Sequence, residues 1–549
     1  MRAGLDAAQF ARYRQPAELL EEWRRVGYHT DALVGPSLFA RLLQTPGRVA
    51  VVDGGRRITC GELAAQAGAL ASAFAAAGVG RGDVVSWQVP NWWEALVVAL
   101  ATWRIGAVNN PVLMIYREHE LKQIFGDLRP AVVVAPPHFR RCEHQQLADA
   151  VLERLGHTPR LRVGVRGGDA RWLALEDLLG GAPAPFATGV APGDPCVVAY
   201  TSGTTAGAKG VVVDHRGLVA ETRQMRDVWG LAWQDRTFMP APLAHLTGLT
   251  VGLTVPLSAG ASVALMDVWD PEAAVPLIER EQCVLSSGTP TFLEEIVSQY
   301  EGRGERTSAL RQYSVGGAAV PPSLIERAEA VGVGAFRCYG MTEHLSATIP
   351  NGGMPIEVRR DTDGPVAPGT EISCVDEAGN VLAPGVPGEI RVRGPERMLA
   401  YVGERDNDGV LDPVEGWFST GDIGAVDGDG CLRIMGRIKD IINRGGEKFS
   451  AREMEDAICR HPAVRQAAVV PIPDARYGEV PVAFVVLADG SELPAESALA
   501  EFVQAQGLAK QKTPTGWTRI DALPTTPFGK VKKHELIARH TEAGAGAPS

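Results

Sequence analysis

The sequence has few cysteines and no paired arrangement of them. Its eight cysteines are scattered over 549 residues without a Cys-x-x-Cys pair. Disulfide frameworks of small secreted domains and structural zinc sites both use closely spaced cysteines. We therefore exclude both and expect reduced thiols in a cytoplasmic protein.

The sequence also lacks a basic excess. It contains 54 Lys and Arg against 65 Asp and Glu, a net charge of -11. Contact with nucleic-acid phosphates requires a basic face. We expect no nucleic-acid partner, and any anionic ligand must meet a local cluster of cations.

Long apolar runs are missing as well. Residues 1–13 mix charges with small side chains and contain neither a secretory signal nor a lipidation motif. The most apolar helical stretch, 95–108, is interrupted by Arg104 and is shorter than the roughly 20 residues needed to cross a bilayer. We expect no membrane span. The sequence leaves the oligomeric state open, a homodimer being one option.

What is present indicates layered α/β units. The length implies two or three globular units. Short β-rich runs at 84–89, 131–135 and 196–200 alternate with helical patterns such as 92–103. A stretch rich in Pro, Gly and Ala at 183–195 is a candidate link between subdomains.

The composition changes again after Trp417 and predicts a small C-terminal domain. Ser450 and Glu453 form an S-x-x-E capping box that predicts a helix over 451–460. Strand patterns follow at 464–471 and 480–487.

The most informative segment is the polar loop 200–210. Three glycines, four aliphatic hydroxyls and one lysine lie between β-branched runs. Amide N–H groups, hydroxyls and an ammonium together suit the oxygens of a triphosphate, although a flexible surface loop has a similar composition. A Walker A loop requires Gly before its Lys and Ser or Thr after it, whereas Ala208 and Gly210 flank Lys209.

Two other enzyme classes are disfavoured. Gly332 and Gly334 are not followed by the third glycine of a dinucleotide fingerprint, since Arg337 stands there. No Gly-x-Ser-x-Gly pentapeptide occurs, so a serine hydrolase has no nucleophile elbow.

Five further motifs follow the loop in order. They are YGMTE at 339–343, GEI at 388–390, WFSTGD at 417–422, GRIKD at 436–440 and GKV at 529–531. With them the sequence resembles the adenylate-forming superfamily of acyl-CoA synthetases, aryl-acid ligases, firefly-type luciferases and peptide-synthetase adenylation domains, over about residues 38 to 536. The run 436–450 is nearest in style to aryl-acid and alicyclic-acid ligases.

This resemblance implies a fold and an activity. The fold is α/β and β with several subdomains: an N-terminal adenylation domain over 1–437 and a smaller, mobile α+β domain over 438–549. The activity is ATP-dependent conversion of a carboxylic acid to an acyl-adenylate and then a CoA thioester, with Mg²⁺. Two alternatives are adenylation alone or transfer to a carrier-protein thiol, and a non-catalytic nucleotide-binding regulator.

The resemblance also implies roles for individual residues. The catalytic set comprises Lys530, Thr342, Glu343 and His245. The ATP and AMP set comprises Thr201, Ser202, Gly203, Thr204, Thr205, Lys209, Gly316, Gly317, Ala318, Tyr339, Gly340, Met341, Thr342, Asp422 and Arg437. Glu343 and Thr204 are the candidate Mg²⁺ ligands. Lys439 is the candidate hinge, and Gly445 and Gly446 are expected to line the CoA tunnel.

From the residues alone, blander interpretations remain open. Lys530 is also compatible with a solvated basic run shared with Lys532 and Lys533. His245 is also compatible with a buried structural histidine. Asp422 and Arg437 are also compatible with a surface ion pair.

The acyl pocket is expected around His245, Leu246, Gly248, Gly317 and Gly340. The stretch 243–248 contains no acid to hold a substrate ammonium, so an apolar acid is favoured. Small residues at 248, 252, 316 and 317 suggest room for a bulky ring system. We expect an aliphatic, alicyclic or polycyclic acid.

The loop departs from the superfamily pattern at two positions. Ala206 and Ala208 replace the usual Gly and Pro. We expect Ala206 to stiffen the loop and Ala208 to loosen it, which changes the affinity for ATP.

Overall fold

The computed structural model describes residues 5, 7–201, 208–403, 406–488, 490–525 and 531–545. The strands are β1 Val49–Asp53, β2 Arg56–Thr59, β3 Val84–Trp87, β4 Val108–Pro111, β5 Val132–Ala135, β6 Leu161–Gly164, β7 Leu173–Ala174, β8 Pro195–Thr201, β9 Lys209–Asp214, β10 Arg236–Met239, β11 Ser262–Leu265, β12 Leu285–Gly288, β13 Gln312–Val315, β14 Gly334–Arg337, β15 Glu371–Val375, β16 Gly388–Arg393, β17 Ala400–Tyr401, β18 Phe418–Val426, β19 Leu432–Arg437, β20 Ile441–Arg444, β21 Glu447–Ser450, β22 Val464–Asp474, β23 Gly478–Leu487 and β24 Gly516–Arg519.

The α-helices are α1 Ala17–Arg25, α2 Val34–Gln44, α3 Cys60–Ala76, α4 Trp93–Arg104, α5 Glu118–Leu128, α6 His144–Arg154, α7 Leu175–Leu178, α8 His215–Val228, α9 Leu246–Leu249, α10 Val255–Ala259, α11 Pro271–Glu281, α12 Pro290–Arg303, α13 Pro322–Ala330, α14 Ile356–Asp361, α15 Ala451–Ile458, α16 Glu496–Ala505 and α17 Lys533–Ala545.

Two large mixed sheets form the N-terminal part. The eight-stranded sheet has the order β17-β9-β8-β4-β3-β5-β6-β7, and the seven-stranded sheet has the order β14-β13-β12-β10-β11-β1-β2. In the seven-stranded sheet only the edge strand β2 runs antiparallel. In the eight-stranded sheet the antiparallel pairs are β8–β9, the strands on either side of the polar loop, and β9–β17.

Helix α4 explains the apolar stretch seen in the sequence. It contacts β3 and β4 of one sheet and β1 of the other, and its residues from Trp93 to Trp103 are buried. A helix covered on all sides is apolar all round without entering a membrane. Among the described residues, no helix is long and apolar enough to cross a membrane.

The segment 183–195 is not a domain boundary. It leads from α7 into β8, and the strands before and after it, β7 and β8, belong to the same sheet. Its backbone is also tied to the N-terminal helices, since Ala184 N donates to Gly68 O and Ala187 N donates to Arg104 O. The high Pro and Gly content therefore marks a surface crossing within one unit, and the predicted subdomain link is wrong.

The sheets change where the sequence predicted a second domain. Strands β15, β16, β18 and β19 form an antiparallel four-stranded sheet, and β19 ends at Arg437. A 3-10 turn, Ile438–Asp440, then leads to β20 in a five-stranded sheet formed by β20 to β24. Helices α15 and α16 pack on one face of this sheet and α17 packs on the other. The predicted large domain followed by a small α+β domain is confirmed.

The predicted helix over 451–460 is observed as Ala451–Ile458. Ser450 Oγ accepts from Glu453 N at 3.3 Å, as the capping box requires. The Glu453 carboxylate, however, accepts from Lys512 Nζ at 2.7 Å. Within the described residues only the Ser450 half of the capping box therefore forms.

Candidate active site

Turns at the ends of neighbouring strands place the predicted motifs side by side. Strand β13 leads into the turn at Gly316 and Gly317, and its parallel neighbour β14 leads into Tyr339. In the same sheet, β10 leads into the segment that ends at His245. Ligands of open α/β sheets bind at the carboxyl ends of strands. The sheet therefore brings together the predicted adenine and acyl segments.

One phenol–carboxylate pair joins the seven-stranded sheet to the four-stranded sheet. Strands β18 and β19 place Asp422 opposite Arg437, whose Nε lies 3.1 Å from Asp422 Oδ1. Tyr339 Oη donates to Asp422 Oδ2 at 2.7 Å. Burial and the negative charge of Asp422 raise the pKa of Tyr339, so the phenol keeps its proton. Both oxygens of Asp422 are thus in contact with donors, and the carboxylate has lone pairs left for further donors.

A second phenol–carboxylate pair lies at the YGMTE segment. Met341 N donates to His344 O at 3.0 Å, which closes a turn containing Thr342 and Glu343. Tyr401 Oη donates to Glu343 Oε1 at 2.6 Å. Among the described residues Glu343 makes no ion pair, so its carboxylate lacks a compensating cation.

Lys209 stands at the start of β9, directly after the polar loop. Its Nζ lies 3.3 Å from Asp406 Oδ1 and 4.9 Å from the ring centroid of Tyr401. Thr201, at the end of β8, pairs with Lys209 across the hairpin. The predicted loop residues Ser202, Gly203, Thr204 and Thr205 lie outside the described residues, as does Lys530.

Ala208 is not loose, contrary to expectation. Gln123 on α5 accepts from Ala208 N at 3.1 Å, and the Gln123 amide donates to Ala208 O. The usual proline has no N–H and could make only one of these bonds. Replacing proline by alanine thus adds an anchor to this end of the loop.

His245 is an uncharged imidazole. It precedes helix α9, and its Nδ1 accepts from Thr247 N at 3.3 Å. Burial lowers the pKa of His245 to about 4. An imidazole that accepts at Nδ1 carries its proton on Nε2, where it can donate. A single π-helical turn, Thr250–Thr254, follows α9, and such turns are frequent at functional sites.

The glycines of the acyl segment mostly serve close backbone packing. A Cβ at Gly248 would lie 1.9 Å from Pro242 O, and a Cβ at Gly340 would lie 2.0 Å from Leu345 O. At Gly252 and Gly316 the space is likewise filled, by Leu243 and Cys338. At Gly317 a Cβ would have no neighbour within 4 Å. The expectation that these small residues leave room for a bulky ring is therefore wrong except at Gly317.

The predicted hinge and tunnel residues lie in the C-terminal part. Lys439 is exposed on the 3-10 turn that joins the four-stranded and five-stranded sheets. Gly445 and Gly446 form the tip of the β20–β21 hairpin with φ of +65° and +90°. These left-handed angles favour glycine whatever else the hairpin does.

Sequence reasoning missed a buried polar layer behind the YGMTE segment. Glu221 accepts from Ser346 Oγ at 2.7 Å, and Glu396 accepts from Thr370 Oγ1 at 2.6 Å. Burial raises the pKa of Glu221 to about 7 and that of Glu396 to about 8. A carboxylate three residues after Leu218 and four before Met225, on the buried face of α8, was the available signal for Glu221.

It also missed Tyr401 and Asp406, which contact Glu343 and Lys209. The sequence offered little to find them. Tyr401 ends the short edge strand β17 and Asp406 follows it, and both reach their partners only through tertiary contacts.

Comparison with known proteins places this geometry in a family. Residues 38–402 match the family described as AMP-binding enzyme, and residues 453–530 match the AMP-binding enzyme C-terminal domain. The chain is 34% identical over 527 residues to a medium-chain fatty-acid–CoA ligase of Escherichia coli (strain K12), covering 94% of this chain and 92% of that protein. It is 32% identical over 506 residues to an indoleacetate–CoA ligase of Aromatoleum aromaticum, covering 90% and 96%.

Solved structures agree with this assignment. The fold matches ATP-bound MatB from Rhodopseudomonas palustris with a TM-score of 0.82 and 30% sequence identity, covering 93% of this chain and all of that one. The two phenol–carboxylate pairs thus lie on a fold that holds ATP in a solved relative. This chain belongs to the AMP-binding enzyme family.

Proposed function

We propose that this protein is an AMP-forming carboxylic acid:CoA ligase for an apolar acid. The family and the ligase relatives support ATP and CoA as its substrates. The observation that carries the proposal is the contact of Asp422 with Tyr339 and Arg437, together with a nearby turn that presents Glu343. Within the described part of the chain, Glu343 makes a hydrogen bond to Tyr401 but no ion pair. The group of Asp422, Tyr339 and Arg437 suits a nucleoside, and the Glu343 carboxylate suits a metal-bound phosphate.

In the first half-reaction, a carboxylate oxygen of the acid bonds to the α-phosphorus of ATP, and the bond to the leaving pyrophosphate breaks. Two anions must approach each other, so cations placed where charge develops lower the barrier. We assign Lys530 to the carboxylate and the α-phosphate, and Lys209 to the phosphates. Lys209 must exchange its contact with Asp406 for a phosphate oxygen.

The nucleoside is held by the first pair. Asp422 accepts from the ribose hydroxyls, and Arg437 donates to them or to a phosphate. The Tyr339 ring lies against the adenine, and the turn at 316–318 lets the base approach the backbone. Gly317 suits this turn because its φ is +78° and the space at its Cβ position is empty.

Mg²⁺ fits Glu343. Among the described residues no cluster of three or more His, Cys, Asp or Glu is arranged to hold a metal. Mg²⁺ bound with nucleotides commonly uses one or two carboxylates together with phosphate oxygens and water. Glu343 supplies such a carboxylate, with Thr204 as the second proposed oxygen ligand. The bound ion would neutralise phosphate charge.

In the second half-reaction, the CoA sulfur bonds to the acyl carbonyl carbon and AMP leaves. We propose that the C-terminal domain over 438–549 turns about Lys439 and brings the hairpin of Gly445 and Gly446 to the pantetheine path. The joint between two sheets at residues 438–440 supports this hinge. Conformational steps of this kind set many turnover rates.

The acid is proposed to be aliphatic or alicyclic. Leu246 is buried at the predicted pocket, and His245 is neutral at physiological pH because burial lowers its pKa to about 4. Neither residue would attract a second charge on the substrate. A polycyclic acid loses its support, since three of the four glycines invoked for it are occupied by protein atoms.

The test is a panel of acids in which pyrophosphate and thioester are measured separately, with and without CoA. Wild type is expected to yield both products with an apolar acid. Pyrophosphate without thioester would indicate adenylation alone or a carrier-protein acceptor, and ATP binding without pyrophosphate for any acid would indicate a non-catalytic regulator.

The role of Lys530 is tested in the same assay. Lys530→Ala is expected to lower the rate of pyrophosphate release about 100- to 1000-fold, because a group placed at developing charge is lost. The matched control is Lys532→Ala, two residues away, whose Nζ pairs locally with Glu535 at 2.9 Å. Equal effects of the two variants would favour a solvated basic run over a catalytic Lys530.

A further inference from the structure

Tyr401 touches both of the charged groups proposed to act on the metal and the phosphates. Its Oη donates to Glu343 Oε1 at 2.6 Å, and the centroid of its ring lies 4.9 Å from Lys209 Nζ. The side chain is buried. Burial and the Glu343 charge raise the pKa of Tyr401, so the phenol remains a donor.

The backbone of Tyr401 is anchored on three sides. It pairs with Val211 of β9, and Tyr401 N donates to Asn407 Oδ1 at 2.8 Å. The buried Asn407 returns a bond from its Nδ2 to Tyr401 O at 3.2 Å. The phenol is therefore presented from a fixed strand.

The same chain segment also anchors the Glu343 backbone. Met398 N, three residues before Tyr401, donates to Glu343 O at 2.8 Å. Glu343 is thus bound at its carbonyl and at one carboxylate oxygen by one stretch of chain. Among the described residues no hydrogen bond reaches its Oε2, and the Tyr401 ring lies beside Lys209.

We propose that Tyr401 is a positioning residue that orients the Glu343 carboxylate for Mg²⁺. The phenol fixes Oε1, so that Oε2 is presented in one direction. Hydrogen bonds that orient a ligating carboxylate commonly tune metal affinity. The inference rests on the proposed role of Glu343, and it extends that role to a residue that touches the metal only through Glu343.

The decisive variant is Tyr401→Phe, which removes the phenol oxygen and leaves the ring beside Lys209. We expect the Mg²⁺ concentration for half-maximal pyrophosphate release to rise about 10-fold, the effect usual for losing such a partner. At saturating Mg²⁺ the kcat should change much less. The affinity for Mn²⁺ in the presence of a non-hydrolysable ATP analogue, measured by electron paramagnetic resonance, should fall by the same factor.

The chain offers a matched control in Tyr300→Phe. Tyr300 is also buried, and its Oη also donates to a carboxylate, Glu279 Oε1, at 2.6 Å. This pair lies between α11 and α12, away from the proposed site. Tyr300→Phe should lower thermal stability at most modestly and leave the Mg²⁺ requirement unchanged.

A double-mutant cycle tests whether Tyr401 acts through Glu343. In a Glu343→Gln background, Tyr401→Phe should have no further effect on Mn²⁺ affinity, since the two residues form one unit. An unchanged metal requirement in Tyr401→Phe would overturn the proposal, as would a full effect in the Glu343→Gln background. Mn²⁺ binding decides this even if wild type activates no acid in the panel, so failure of the proposed function is distinguishable.

Discussion

The candidate site contains two tyrosine–carboxylate pairs that are built alike but compensated differently. Tyr339 donates to Asp422 at 2.7 Å and Tyr401 donates to Glu343 at 2.6 Å. Asp422 also has Arg437 at 3.1 Å. Lys209 lies beside the Tyr401 ring of the second pair, but its Nζ contacts Asp406 rather than Glu343.

The difference indicates which ligand each pair can accept. A carboxylate already paired with a guanidinium gains little from a further cation and suits neutral hydroxyls. A carboxylate that makes no ion pair among the described residues offers the oxygen ligands that a divalent ion prefers. We therefore propose that Asp422 serves the nucleoside and Glu343 serves the metal.

Among changes to the compared carboxylates, the largest effect is expected from Glu343→Gln. Gln keeps the size and accepts from Tyr401 but carries no charge for Mg²⁺. Pyrophosphate release should fall about 100-fold or more, and added Mg²⁺ should restore part of it. The control is Glu371→Gln, since Glu371 is a half-exposed carboxylate paired with Arg393 on β16. A rate loss that is independent of Mg²⁺ concentration would contradict the assignment.

A smaller effect, on ATP binding rather than on the Mg²⁺ requirement, is expected from Asp422→Asn. The KM for ATP should rise about 10- to 100-fold, because hydrogen bonds to charged groups contribute roughly 1.5–3 kcal/mol. The Mg²⁺ requirement should stay unchanged. Asp408→Asn, at an exposed aspartate, serves as control. If Asp422→Asn raised the Mg²⁺ requirement as much as Glu343→Gln, the proposed division of roles between the two pairs would be wrong.

The smallest effect concerns a third carboxylate, Glu396, which is neutralised by a proton rather than by a cation. Burial raises its pKa to about 8. The unfolded carboxyl ionises above about pH 4.5 while the folded one keeps its proton, so this group's contribution to stability falls as pH rises from about 4.5 to 8. The difference in the free energy of unfolding between Glu396→Gln and wild type should therefore shift in favour of the variant by about 1–3 kcal/mol from pH 5 to pH 8.

Urea unfolding at the two pH values measures this difference. An identical pH dependence in both proteins would show that Glu396 is ionised in the folded state. An ionised Glu396 would need a nearby cation or access to solvent to stabilise its charge.

Much of the fold could be predicted from local patterns. The β-branched runs at β3, β5 and β8 and the cap at Ser450 gave elements within a few residues of those observed. The stretch 183–195 misled because Pro and Gly punctuate any surface crossing, whether or not it separates domains. Sheet membership, which decided that case, depends on long-range pairing.

The motifs placed Asp422, Arg437 and Tyr339 in one ATP-binding set, but they did not predict the hydrogen bonds between these residues. The sequence predicted space for a substrate at Gly248 and Gly252. A glycine in a sequence does not show whether other protein atoms occupy the position of its missing side chain, and here they do. Tyr401 and Gln123 could not be found from the sequence, since their partners Glu343 and Ala208 are 58 and 85 residues away.

The sequence by itself determined the family chemistry, because the order and spacing of charged, hydroxyl and glycine residues in its motifs are local properties. Only the tertiary structure decided which group faces each carboxylate: Arg437 and Tyr339 at Asp422, Thr370 at Glu396 and Tyr401 at Glu343. Charge compensation depends on distances and burial between residues far apart in the chain, and those distances exist only once the sheets have packed.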